Sequence, residues 1–115
     1  DIINNEIEIN ISGSGNAIMG INCNYLDVDI NGTGDVEVWG NAHESEMDIS
    51  GSGSINAYGL YQELCFARIS GSGNMWLFVT ELLDVRISGS GNIYYRGNPE
   101  INSSISGSGN LFNKN

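Results

Sequence analysis

Few residues of this 115-residue chain carry chemistry, so their spacing is quickly weighed. The single histidine, His43, lies in the polar stretch GNAHESE at 40–46. A catalytic histidine needs a nucleophile beside it and an acid behind it. No cysteine or serine is spaced to pair with His43, so it reads as a solvated side chain at a corner. Serines are abundant because they recur in one repeated motif, which singles out none as a nucleophile. The GSGN segments resemble phosphate-binding loops only superficially, since no Gly-Lys-Ser/Thr follows them and no helix is expected behind them. Cys23 and Cys65 are too few for a zinc site, and they fall at different phases of the repeat, which predicts two free thiols rather than a bridge. In calcium-binding β-rolls an aspartate follows the glycine turn. The corresponding positions here are Ala17, Val36, Ile55, Met75, Ile93 and Leu111, all apolar. No catalytic residue, cofactor or metal site is expected, and the chain does not read as an enzyme.

The elements that carry these residues follow from the repeat. ISGSGN at 11–16 returns as INGTGD at 30–35, ISGSGS at 49–54, and ISGSGN at 69–74, 87–92 and 105–110. The leading isoleucines Ile11, Ile30, Ile49, Ile69, Ile87 and Ile105 lie 19, 19, 20, 18 and 18 residues apart. A flexible linker has no reason to keep that interval. Alternating residues flank each motif, as in LDVDI before and DVEVW after the glycines at 32 and 34, the pattern of half-buried strands meeting at a turn. Aligned on the isoleucine, the positions four and two before it and six and eight after it are apolar or small in nearly every unit. The exceptions gather in the last unit, at Ser103 and Asn113. Antiparallel hairpins would not repeat one residue type at one phase of every unit, whereas a parallel solenoid stacks identical positions at about 4.8 Å. An all-β fold is expected: a single-stranded parallel β-helix of about six coils, one domain over 1–115, with the SGSG segments as stacked corners. The glycines there supply positive φ or close approach.

The carboxyl end, ISGSGNIYYRGNPEINSSISGSGNLF at 87–112, resembles the head GIN domain family, bacterial proteins described as auto-transporter adhesins. The serial I-S-G-S-G-[ND] corners, the segment Tyr95-x-Gly97-x-Pro99 and the closing ISGSG carry the likeness, which covers nearly the whole chain. The resemblance implies a right-handed parallel β-helix at the periplasm or cell surface and brings no catalytic residues. It also implies that this chain is the coil portion, with the head segment lying outside it.

Charge and apolar patterning then bound the function. With a net charge of −10 and only four basic residues, the chain would repel nucleic acid. No stretch is long and apolar enough to insert in a membrane. Eleven acids and no base lie in residues 1–67, whereas three acids and all four bases lie beyond. Outward positions before the corner stack carboxylates (Glu8, Asp27, Glu46; Asp29, Asp48), which reads as a solubilising face. Outward positions after it place Trp39, Tyr58, Trp76, Phe78, Tyr94 and Phe112 on two neighbouring columns of one sheet. An apolar patch of that size on a soluble protein commonly marks a contact, whether with a second copy, another envelope protein or a sugar ring. The expected function is a non-enzymatic surface module acting in adhesion or envelope assembly through this aromatic sheet. The alternative is a self-assembling, bactofilin-like structural solenoid. Ice binding would want a threonine-rich face, and only Thr33 and Thr80 are present.

Overall fold

Period-two patterning on both sides of each glycine corner produces strands so long that they wrap most of a coil. A computed structural model describes residues 4–114. It contains β1 (Asn4–Gly13), β2 (Asn16–Gly32), β3 (Asp35–Gly51), β4 (Ser54–Gly71), β5 (Asn74–Gly89), β6 (Asn92–Arg96), β7 (Glu100–Ser106) and β8 (Asn110–Asn113). All pairings are parallel, in the order β1-β2-β3-β4-β5-β6-β8, with β7 also on β5. The fold is a β-solenoid of about six coils, each stacked on the equivalent residues about 19 positions earlier. The last full coil is split into β6 and β7 because Gly97 takes φ +99° and Pro99 has no N–H for the ladder.

The leading isoleucines stand in one file, Ile11 against Ile30, then Ile49, Ile69, Ile87 and Ile105. The expected inward positions form the core through the middle coils, while at the ends of the rod Ile11 is half-buried and Ile105 exposed. Leu26, Val28, Ile30, Met47, Ile55, Ile69, Met75, Leu77, Leu83, Val85 and Ile93 are fully shielded from solvent. Each such side chain contributes roughly 1.5–3 kcal/mol by leaving water. Ser103 and Asn113, the polar exceptions, are exposed.

At every corner the first glycine has positive φ, from +90° at Gly13 to +126° at Gly32. The second glycine answers a different need. A Cβ on Gly73 would lie 2.5 Å from the Gly53 carbonyl oxygen of the coil before. The backbones approach closely enough to continue the ladder around the bend: the Ser72 N–H donates to Gly51 O at 3.0 Å, and the Ser90 N–H to Gly71 O at 3.0 Å.

Opposite the corner, an inner row of Cys23, Ala42, Gln62 and Val79 completes the core. Gln62 is fully buried, as is Ser45. The Ser45 hydroxyl donates to Gln62 Oε1, and Gln62 Nε2 donates to the Phe78 carbonyl at 3.4 Å. Both cysteines are free and buried. Burial pushes the Cys65 thiol up to about 12, against a smaller downward pull from its hydrogen bond with Ser45. A thiol so protonated is a poor nucleophile.

Candidate functional site: an aromatic ladder and a charged face

The sheet that follows the glycine corner carries the aromatic residues. Trp76, Tyr94 and Phe112 stand directly opposite one another in consecutive coils. Their rings stack nearly parallel, with centroids 5.4 Å apart at 13° for the first pair and 5.2 Å at 12° for the second. Lys114 Nζ lies 6.0 Å from the Tyr94 centroid. This ladder follows from strict register, because one rung spacing is close to a stacking distance.

The neighbouring column departs from its expected order. Trp39 stands opposite Gly59 rather than Tyr58, and Phe78 opposite Tyr61. The coil between Ile49 and Ile69 is the longest: its one extra residue over the coil before is taken up between Glu37 and Trp39, and its two over the coil after are taken up by shifts between Ala57 and Tyr61 and between Gln62 and Leu64. Tyr58 is thereby removed from the file, and the Arg96 guanidinium sits over its ring at 4.5 Å. Tyr61 joins instead, packing edge-on against Phe78 at 5.7 Å. The 20-residue interval was the available sign of this shift, and alignment on the isoleucine alone passed over Tyr61. Trp39 lies across Gly20, which leaves no room for a side chain there. Trp39, Tyr61 and Phe112 are the most open of the aromatics at 47%, 47% and 40%. Tyr58, Trp76, Phe78 and Tyr94 are half-buried.

Before the corner, the outward columns keep register through every described coil. One runs Glu8, Asp27, Glu46, Phe66, Asp84, Asn102; the next runs Asn10, Asp29, Asp48, Arg68, Arg86, Ser104. Partial burial and then the carboxylates of Glu46, Glu8, Asp29 and Asp48 raise the Asp27 carboxyl above its ordinary range. Asp48 is raised chiefly by burial, with Arg68 pulling the other way. The Tyr25 hydroxyl donates to Glu46 Oε1 at 2.7 Å, and this bond holds the phenol well above its usual range. Among the described residues no three acidic, histidine or cysteine side chains converge as metal ligands would. His43 is not solitary: its Nδ1 meets Glu63 Oε1 of the next coil, in an exposed pair. A shallow open groove crosses the centre of this face, bounded by Glu46, Asp48, Phe66, Arg68 and Arg86.

The family model described as "Putative auto-transporter adhesin, head GIN domain" matches residues 1–99. The chain belongs to the head GIN domain family. A solved structure described as a "Putative lipid binding protein" from Parabacteroides distasonis is similar to this head GIN domain chain, at 35% identity and a TM-score of 0.94. The likeness covers 96% of this chain and 45% of that one, so the present chain spans less than half the length of its structural relative. No curated protein matches it. The family description is that of an adhesin-like binding domain rather than of an enzyme class.

Proposed function

We propose that this head GIN domain chain is a non-enzymatic binding module of the bacterial envelope or cell surface, with the aromatic sheet as its contact surface. The observation that carries this reading is the Trp76–Tyr94–Phe112 ladder, extended sideways by Phe78, Tyr61 and Trp39. Rings stacked along the coil axis give their faces to one another and turn edges outward. A sugar stacks on a ring face, whereas an apolar protein surface packs well against edges. The ladder therefore favours a protein partner, either an envelope protein or another copy. The description of the structural relative introduces lipid as a ligand. The solenoid interior here is filled with shielded side chains, so a lipid would meet this chain on its exposed aromatics rather than in an enclosed channel.

The test compares wild type with Trp76→Ser/Tyr94→Ser. Both are expected to show the same β-sheet circular dichroism. At 500 mM sodium chloride, where charge pairing is screened, only the wild type is expected to associate in light scattering, to bind envelope proteins, or to sediment with phospholipid vesicles. A wild type that binds nothing in these assays and on a glycan array, or a variant that binds equally well, would refute the reading.

A further inference from the structure

The charged face before the corner has an order that a random acidic surface lacks. Along the coils its edge column reads Asn10, Asp29, Asp48, Arg68, Arg86, Ser104. Two neutral residues flank two acids and two bases, so turning the column end for end places every acid on a base. We propose that this face docks a second copy of the chain run antiparallel, about a two-fold axis along the strands between the third and fourth coils. Asp48 then meets the partner's Arg68, Asp29 meets the partner's Arg86, and the neutral ends meet each other. The two-fold repeats all four ion pairs' geometry in reverse, as an isologous interface requires.

Three features of the single chain support this docking. Within one copy the column stacks like on like, Asp29 on Asp48 and Arg68 on Arg86, at one rung spacing. Each such pair repels by roughly 1 kcal/mol in high dielectric, and a reversed partner offsets both repulsions at once. The arginines are only loosely held by their own chain. Arg68 Nε lies 3.8 Å from Asp48 Oδ1 and Arg86 Nε 3.9 Å from Asp84 Oδ1, with the arginine side chains 63% and 66% exposed. On the corner side the next outward column, Ser12, Asn31, Ser50, Ser70, Ser88 and Ser106, is short and exposed, so nothing bulky holds two copies apart there; on the other side Tyr25 lies against Glu46 and bounds the contact. Phe66 interrupts the acidic column to leave the groove at the centre of the face, where the partner's Glu46 would lie. A parallel second copy would face its own charges and is excluded.

Six rungs at about 4.8 Å and two columns about 7 Å wide give roughly 400 Å² per copy, half of a standard interface. Asp27 also faces the partner's Asp84, which Arg86 only partly offsets. The dimer is accordingly weak and salt-sensitive. It leaves the aromatic ladder uncovered and does not depend on what that ladder binds; two linked copies would bind an extended target with higher avidity.

Sedimentation of the 115-residue chain at 50 mM sodium chloride is expected to show a reversible dimer whose dissociation constant rises at least tenfold at 500 mM. Arg68→Asp/Arg86→Asp and Asp29→Arg/Asp48→Arg are each expected to be monomeric alone and to form a one-to-one heterodimer when mixed. If either charge-reversed variant fails to fold, Arg68→Ser/Arg86→Ser takes its place and is expected to lose the dimer. A wild type that stays monomeric at low salt, or reversed variants that self-associate as wild type does, would overturn the proposal. Loss of association in Trp76→Ser/Tyr94→Ser with the charge variants unaffected would place the dimer on the aromatic sheet instead and overturn it equally.

Discussion

The glycine corner and the arc opposite it face the same demand, to turn a β-strand while stacking on the coil before, and they meet it differently. At the corner every coil repeats one geometry, with positive φ at the first glycine and backbone bonds from coil to coil. Along the arc the register shifts between Glu37 and Trp39, between Ala57 and Tyr61, and between Gln62 and Leu64. Coils of different length are thus reconciled entirely on one side. Where backbone meets backbone with no Cβ between, an added residue would break the ladder. Where side chains such as Gln62 can supply donors and acceptors, a bulge is tolerated.

The largest expected effect contrasts two glycines. Gly71 has φ +125°, and a Cβ there would lie 2.5 Å from the Gly51 carbonyl oxygen. Gly71→Ala therefore combines backbone strain with a clash against main chain that can yield only by separating two coils. It is expected to cost about 3 kcal/mol or more and to lower Tm by about 10 °C. Gly59 in the arc lacks the positive φ, and its Cβ would meet Trp39 alone, 3.1 Å from that residue's Cβ and 3.9 Å from its Cα. Gly59→Ala is expected to change stability by less than about 1 kcal/mol. Thermal melts of both variants decide the matter, and equal losses would mean that the arc is as rigidly registered as the corner.

A smaller effect tests how the arc is held. Ser45→Ala removes the hydroxyl that donates to buried Gln62 Oε1. An acceptor left without its donor in the core costs about 1–3 kcal/mol. Adding Gln62→Met removes the orphaned amide and is expected to restore part of that loss, because replacing both partners with apolar groups approaches neutrality. If the double variant is no better than Ser45→Ala, the hydrogen bond from Gln62 to the Phe78 carbonyl is the one that matters in the arc.

This division also explains what could be read from the residues in advance. The corner is legible because its requirement is local: a positive φ or a missing Cβ admits few residues, so Ile-Ser-Gly-Ser-Gly recurs and fixes the phase of every inward column near it. The stacking of Trp76, Tyr94 and Phe112 follows from that phase alone. The arc is not legible in the same way. Ser45 reads as a small residue in an apolar column, and its pairing with Gln62 depends on a register that the shift between Glu37 and Trp39 decides. Tyr61 in place of Tyr58 beside Phe78 is hidden for the same reason, since both tyrosines lie inside the longest coil and alternation alone cannot say which one faces out. The contact between His43 and Glu63 likewise joins adjacent coils across the arc, where no repeated motif marks the phase.

Strict register has an electrostatic consequence on the sheet before the corner, and it supplies the gentlest test of the comparison. Glu8, Asp27 and Glu46 are stacked rung on rung because the corner permits no slip. Asp27 holds its proton more tightly in the fold than in the unfolded chain, first through burial and then through these neighbours. A carboxyl with a raised folded pKa contributes stability that is complete below its unfolded pKa, near 3.9, and is lost as pH rises through the folded value. Lowering the pH from neutrality towards the unfolded carboxyl value is therefore expected to raise Tm, opposite to the usual acid behaviour of salt-bridged carboxylates. Asp27→Asn is expected to raise Tm by a few degrees at pH 7 and to flatten its dependence on pH. Calcium chloride is expected to raise wild-type Tm no more than sodium chloride at matched ionic strength, because the described carboxylates do not converge on a point. A Tm that falls steadily as the pH is lowered to the unfolded carboxyl value would show that Asp27 is relaxed by movement of its coil, and hence that register on this sheet is looser than at the corner beside it.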